Sequence, residues 1–123
     1  MSNKKIEKTI YSCSGCSNVA QLANGVAVRI HQLKLAKMSC IAGVGGDVRP
    51  LVQEAINADE IIVLDGCSLQ CAKKCLERHE IPISHHIILT DLGLKKDKED
   101  LFNSSEQEEY FHQICNQLEL GEQ

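Results

Sequence analysis

Three short runs in this chain each stop at a cysteine, and that recurrence constrains the fold more than any other feature. Lys8 to Ser12 stops at Cys13, Lys37 to Ser39 at Cys40, and the apolar run Ile61 to Leu64 is closed by Asp65-Gly66-Cys67. Short apolar runs bounded by turn residues are how strands buried on both faces of a parallel sheet read in sequence. If the three strands run parallel, their carboxyl ends, and therefore their thiols, share one edge.

The segments between them are helical in pattern. After Cys13-Ser-Gly-Cys16, apolar residues from Val19 through Leu22, Ala23, Val26, Ala27 and Ile30 to Leu33 recur at helical spacing and make one face. Gly25 within that stretch costs roughly 1 kcal/mol against Ala and is expected where the helix approaches the sheet closely. A second strand is expected over Ala36–Ile41, a glycine-rich turn over 42–47, and a short helix over Val48–Asn57 with Pro50 in its first turn. Glu60–Asp65 is the third strand, Ser68–Arg78 a helix, and Ser84–Thr90 a fourth strand closed by Asp91-Leu-Gly93. Lys95 to Asp100 reads as a solvated connector. Ser104 with Gln107 suits a capping box, and Tyr110, Phe111, Ile114, Cys115 and Leu118 supply the packing face of a final helix.

Strands alternating with helices imply βαβ units, and right-handed crossovers favour strand order 2-1-3-4 with helices on both faces. The expected architecture is a Rossmann-like three-layer α/β fold with a four-stranded parallel sheet and a C-terminal helix. It occupies one domain over 1–123, with its core at about 6–93 and the last helix at about 104–119. Residues 1–5 and the last few residues are expected to be frayed.

The formal charge of −4 and the absence of Trp argue against nucleic acid as a partner. No apolar stretch is long enough for a membrane span, and a polar start leads to an expectation of a cytoplasmic protein. In a reducing compartment seven cysteines point to metal binding or redox chemistry rather than to structural disulfides. Cys115, on the last helix, fits a small buried hydrophobe.

Open parallel sheets hold ligands outside the carboxyl ends of their strands, where strand order reverses. That crevice is expected to receive Cys13 and Cys16 from the first loop, Cys40 from the second, and Cys67 and Cys71 from the third. A helix starting at Ser68 would place Cys71 one turn, about 6 Å, from Cys67, with Cys75 two turns away and pointing elsewhere. Thiolates at helix N-termini are favoured by the dipole and by unpaired N–H groups. The histidines are expected to stay out of the site. His85 and His86 begin a strand whose far end lies about 16 Å away, His31 and His79 lie at the distal ends of helices, and His112 is on the last helix. Ligation is therefore expected by sulfur alone. Asp65 suits a partner of the metal ligands, an acid/base group or a cap for the next helix, and Asp91 a turn. Gly43, Gly45 and Gly46 lack dinucleotide-binding spacing and a Walker lysine, and are expected to let the backbone approach the metal.

Tyr11-Ser-Cys13-Ser-Gly-Cys16, Ser39-Cys40-Ile-Ala-Gly43-Val-Gly45-Gly46, and Asp65-Gly66-Cys67 followed by Cys71-Ala-Lys-Lys74 together resemble the DGC-domain family, which is described as zinc-binding. The resemblance covers most of residues 6–93 and implies a cysteine-bound metal, with little implied about a reaction. The expected function is a small zinc-binding protein for metal handling or a structural site, with a metal ion, and a protein to exchange it with, as partners. Softness of the donors also admits an iron–sulfur cluster or Cu(I). The alternative is a thiol-redox or sulfur-transfer enzyme working through Cys13 and Cys16; the extra thiols tilt the reading away from an enzyme. With a core of this size, the apo protein is expected to stay folded.

Overall fold

The computed structural model describes residues 6–97 and 103–121. Four strands, β1 (Lys8–Ser12), β2 (Lys37–Met38), β3 (Glu60–Asp65) and β4 (His85–Ile88), form one sheet in the order β2-β1-β3-β4. Every pairing is parallel, as the βα alternation requires. The helices are α1 (Asn18–Gln32), α2 (Ile41–Gly45), α3 (Arg49–Asn57), α4 (Cys71–Glu77) and α5 (Ser104–Leu118), with a 3₁₀ turn over Leu89–Leu92. The chain steps from β1 to one side and then crosses back over it to β3. Right-handed crossovers therefore put α1 on one face of the sheet and α2, α3 and α4 on the other. Packing agrees: α1 contacts α5, and α2 contacts both α3 and α4.

The core sits between β1, β3 and α1. Ile10, Val63 and Leu64 are fully buried, and so are Val19, Leu22, Ala23, Val26, Ala27 and Ile30 on the apolar face of α1. Each large aliphatic side chain among them contributes about 1.5–3 kcal/mol by leaving water. Ser17 caps α1, its Oγ accepting the Ala20 N–H at 3.2 Å. Gly25 does not press on the sheet; it is half-buried and lines a surface groove with Gln107 of α5. Tyr110, Phe111, Ile114, Cys115 and Leu118 bury the inner face of α5. Arg29 fastens that helix from α1, forming a fork to Glu108 at 2.6 and 3.1 Å and lying 4.5 Å from the centroid of Phe111.

Several boundaries shift for local reasons. The glycine-rich stretch after β2 is a short helix, α2, rather than a turn. A Cβ on Gly43 would overlap the Leu51 side chain, so that glycine serves close packing of α2 on α3. β2 keeps two residues and β4 four, because the chain turns into α2 and into the 3₁₀ turn sooner than residue preferences suggest. The capping box of α5 uses Asn103 and Glu106, one residue before the expected pair. Of the charged connector, Lys95 and Lys96 are exposed as expected, but the backbone over 95–97 is also tied to α1 through Asn18. The expectations for residues 1–5, for 98–100 and for the last two residues lie outside the described residues. Among the described residues no helix is long and apolar enough to cross a membrane.

Candidate metal and thiol site

The site grows out of the ends of the two central strands. One residue beyond β1, the Cys13 N–H donates to Leu64 O at 3.0 Å, extending the parallel ladder past the strand. The sulfur of Cys13 accepts the N–H of Gly66 at 3.1 Å. Gly66 can make that contact only because it has no side chain: a Cβ there would stand 2.7–2.8 Å from backbone atoms of Val19 and Ala20. The first turn of α1 thus rests directly on the Asp-Gly turn after β3, and the loop carrying Cys13 and Cys16 meets the loop carrying Cys67.

Four cysteines, Cys13, Cys16, Cys67 and Cys71, line a pocket of about 260 Å³ at this junction, together with Leu69 and Lys96. Their settings differ. Cys13 is buried, Cys67 half-buried, and Cys16 and Cys71 exposed. Burial pushes the Cys13 thiol up to about 11; the Gly66 N–H pulls it down, and Asp65, Cys71 and Cys67 add to the rise. A thiol so placed stays protonated at neutral pH until something replaces its proton. Cys40 stands at the same edge of the sheet but outside the pocket. Its sulfur caps α2, accepting the Gly43 N–H at 3.3 Å. Cys75 turns towards α2, where its sulfur lies 3.0 Å from the position of a Cβ on Gly45, and burial raises its pKa. Cys115 is a core residue of α5, raised likewise by burial.

The third loop departs from the expected helix. α4 begins at Cys71, not Ser68, because Gln70 adopts a left-handed conformation (φ 55°) and offers no side-chain cap. Cys67 therefore lies in the turn before the helix, and helical spacing does not set its relation to Cys71. Asp65 supplies the missing cap from the end of β3. Its Oδ1 accepts the Ala72 N–H at 2.8 Å and its Oδ2 the Lys73 N–H at 3.2 Å. Although 1% exposed, the carboxylate is thereby satisfied, as a buried charge must be.

Two participants escape the sequence reading. Lys96, expected in a solvated connector, directs Nζ to Cys67 Sγ at 3.4 Å. It is held there by Asn18, which donates from Nδ2 to Lys95 O at 2.9 Å, accepts the Asp97 N–H on Oδ1 at 2.5 Å, and donates its own N–H to Asp97 O at 2.8 Å. No local signal marks Lys96, because its position follows from the tertiary tie to α1. His86 lies much closer to the site than a longer β4 would allow. It is two residues from the end of the strand, and its Nε2 lies 2.8 Å from Asp65 Oδ2. Strand length is the signal that bears on it, since a strand ending at Ile88 instead of Thr90 carries His86 towards the carboxyl edge. His79 instead holds α2, with Nε2 3.0 Å from Val44 O and 2.9 Å from Asp47, and His31 Nδ1 accepts the Met38 N–H.

In kind, four soft sulfur donors on one pocket suit zinc, Cu(I) or an iron–sulfur centre. In placement, no three Cys, His, Asp or Glu side chains among the described residues are gathered closely enough to hold an ion.

The family model described as DGC domain matches residues 9–114, a span that contains all five candidate thiols. The chain is also similar to the "Anaerobic and virulence modulator AnvM" of Pseudomonas aeruginosa, with 58% identity over 87 residues, 71% of this chain and 66% of the relative. It thus spans just under two thirds of that relative's length. No solved structure matches. The chain belongs to the DGC domain family.

Proposed function

We propose that this chain is a small cysteine-rich protein that takes up a thiophilic metal ion, zinc in the first instance, through Cys13, Cys16, Cys67 and Cys71. The observation that carries this reading is the convergence of four thiols from two separate strand–helix junctions on one pocket. Two features of the surroundings support it. A divalent ion held by four thiolates leaves two negative charges uncompensated; Lys96 brings a cation to the rim, and the Gly66 N–H already points at sulfur. No three described side chains stand close enough to share an ion, so on this reading uptake of the ion draws the sulfurs together. The exposed Cys16 and Cys71 offer a route for passing the ion to a protein partner in a reducing compartment such as the cytoplasm. The relative's name describes a modulator, and we extend a regulatory rather than catalytic role to this chain on that likeness.

The test is elemental analysis of protein purified without oxygen. About one zinc per chain is expected, lost in Cys67→Ser and Cys71→Ser and retained in Cys40→Ser. Intense visible absorbance with bound iron would replace zinc by an iron–sulfur centre, and protein free of metal would overturn the proposal.

One observation favours a second reading. In Cys13-Ser-Gly-Cys16 an exposed thiol is backed by a buried one. The Cys16 thiolate could attack a substrate disulfide, releasing one substrate thiol. Cys13 would then displace the other, so that the protein ends as the Cys13–Cys16 disulfide and the substrate as two thiols. Such activity would survive both a chelator and Cys67→Ser, which separates it from metal uptake.

A further inference from the structure

We propose that His86 is a positioning residue for the paired thiols of the third loop, acting through Asp65. This rests on the reading of Cys67 and Cys71 as site residues, but not on which metal they take. Asp65 is the one charged side chain in the buried set of described residues. It lies two residues before Cys67 and caps the helix that opens at Cys71, so a single carboxylate fixes both ends of the loop carrying these thiols. The helix has no cap from its own sequence, since Gln70 makes no side-chain cap bond.

Holding the carboxylate is therefore equivalent to holding the thiols, and two of its contacts come from the helix it must orient. His86 supplies the grip from elsewhere. In the register of the sheet it pairs with Val63, and residues 63 and 65 point to the same face of their strand. The imidazole consequently lies beside Asp65, and its Nε2 is 2.8 Å from Oδ2. With the ring N–H directed at that oxygen, the carboxylate cannot swing away from α4 without losing a bond in a largely buried setting, since the His86 side chain is 17% exposed.

The experiment compares His86→Leu and His86→Gln with wild-type protein, fully reduced and treated with chelator. A glutamine amide can reach Oδ2 much as Nε2 does, whereas leucine fills the space without donating. Two quantities are read: hydrogen exchange at the Ala72 and Lys73 amides against that at Ile62, and the rate of Cys71 alkylation against that of Cys16. His86→Leu is expected to speed exchange at Ala72 and Lys73 at least ten-fold relative to Ile62 and to change Cys71 alkylation at least three-fold. His86→Gln is expected to restore both. His85→Ala, on the neighbouring exposed residue, should change neither. Wild-type behaviour in His86→Leu would overturn the proposal. So would a uniform loss of protection across the sheet that glutamine fails to rescue, because it would mark a general packing role. Should His86→Leu fail to fold, His86→Ser, too short to reach Asp65, makes the same comparison. In parallel, zinc competition against a chromogenic chelator should show an affinity reduced on the order of ten-fold in His86→Leu. If the wild-type protein takes no zinc, the metal reading fails and the amide and thiol measurements still decide the role of His86.

Discussion

Replacing Gly66 with alanine tests the contact that joins the two thiol-bearing loops. The added Cβ would sit 2.7 Å from Val19 C and 2.8 Å from both Val19 O and Ala20 N. Ordinary contacts are about 3.5–4.0 Å, and all three obstructing atoms are backbone, so no side-chain rotation relieves the overlap. Either the first turn of α1 retreats or the Asp65-Gly66 turn does. Overpacking of this sort costs about 1–3 kcal/mol. For a domain of this size that corresponds to a fall in Tm of roughly 4–12 °C. The sign is informative, because a glycine in an unobstructed place gains about 0.4–1 kcal/mol on replacement by alanine through the unfolded chain. The retreat should also open the Gly66 N–H to Cys13 Sγ contact. Thermal melts of reduced, chelator-treated protein give the first readout. Native-state alkylation followed by mass spectrometry gives the second, with Cys115, a buried thiol on α5, as the internal control. Cys13 labelling should rise while Cys115 labelling stays low. A Gly66→Ala protein with unchanged or raised Tm and a still-protected Cys13 would refute the claim that the Asp-Gly turn and α1 are in obligatory contact.

Other outcomes are set by the same geometry. The Cys13 pKa rises to about 11 from an ordinary value of 9.0. Between those two pH values the folded chain therefore keeps a proton that the unfolded chain has lost, and stability should fall with rising pH across that window by on the order of 2–3 kcal/mol. Denaturant melts of metal-free wild type and Cys13→Ala check it, since the alanine variant should lack that slope. Asp65→Ala leaves α4 uncapped and should cost about 1–2 kcal/mol, read as a lower urea midpoint together with faster exchange at the Ala72 and Lys73 amides. Arg29→Ala removes a half-exposed ion pair and a cation–π contact, and should cost about 1–2 kcal/mol. Arg29→Lys should not fully recover it, because lysine cannot form the fork to Glu108. Chelation should leave the far-ultraviolet circular dichroism essentially unchanged, since the buried aliphatic core between β1, β3 and α1 is packed without a metal; collapse on chelation would assign the metal a structural role.

Much of the fold is legible because its signals are local. The apolar runs of β1 and β3, the spacing of the buried residues of α1 and the packing face of α5 each follow from residue periodicity, and the βα alternation then leaves few topologies. The order β2-β1-β3-β4 is one of them. The same logic brings Cys13, Cys16, Cys40, Cys67 and Cys71 to one edge of the sheet. Local signals fail where a tertiary partner outweighs them. Gln70 turns left-handed and delays the start of α4 to Cys71, so the cap expected from Asp65 is made to amides farther along, at Ala72 and Lys73. Lys96 belongs to the pocket only because Asn18 holds the backbone on either side of it.

The sequence alone determined a parallel α/β sheet with cysteines where its strands end, since strand and helix periods and the handedness of crossovers are properties of the chain itself. Only the tertiary structure decided which thiols share a pocket, setting Cys40 apart at the start of α2 and bringing His86 to Asp65. Those choices depend on strand length, sheet register and the close seat of α1 on Gly66, none of which is encoded within a few residues of the groups they place.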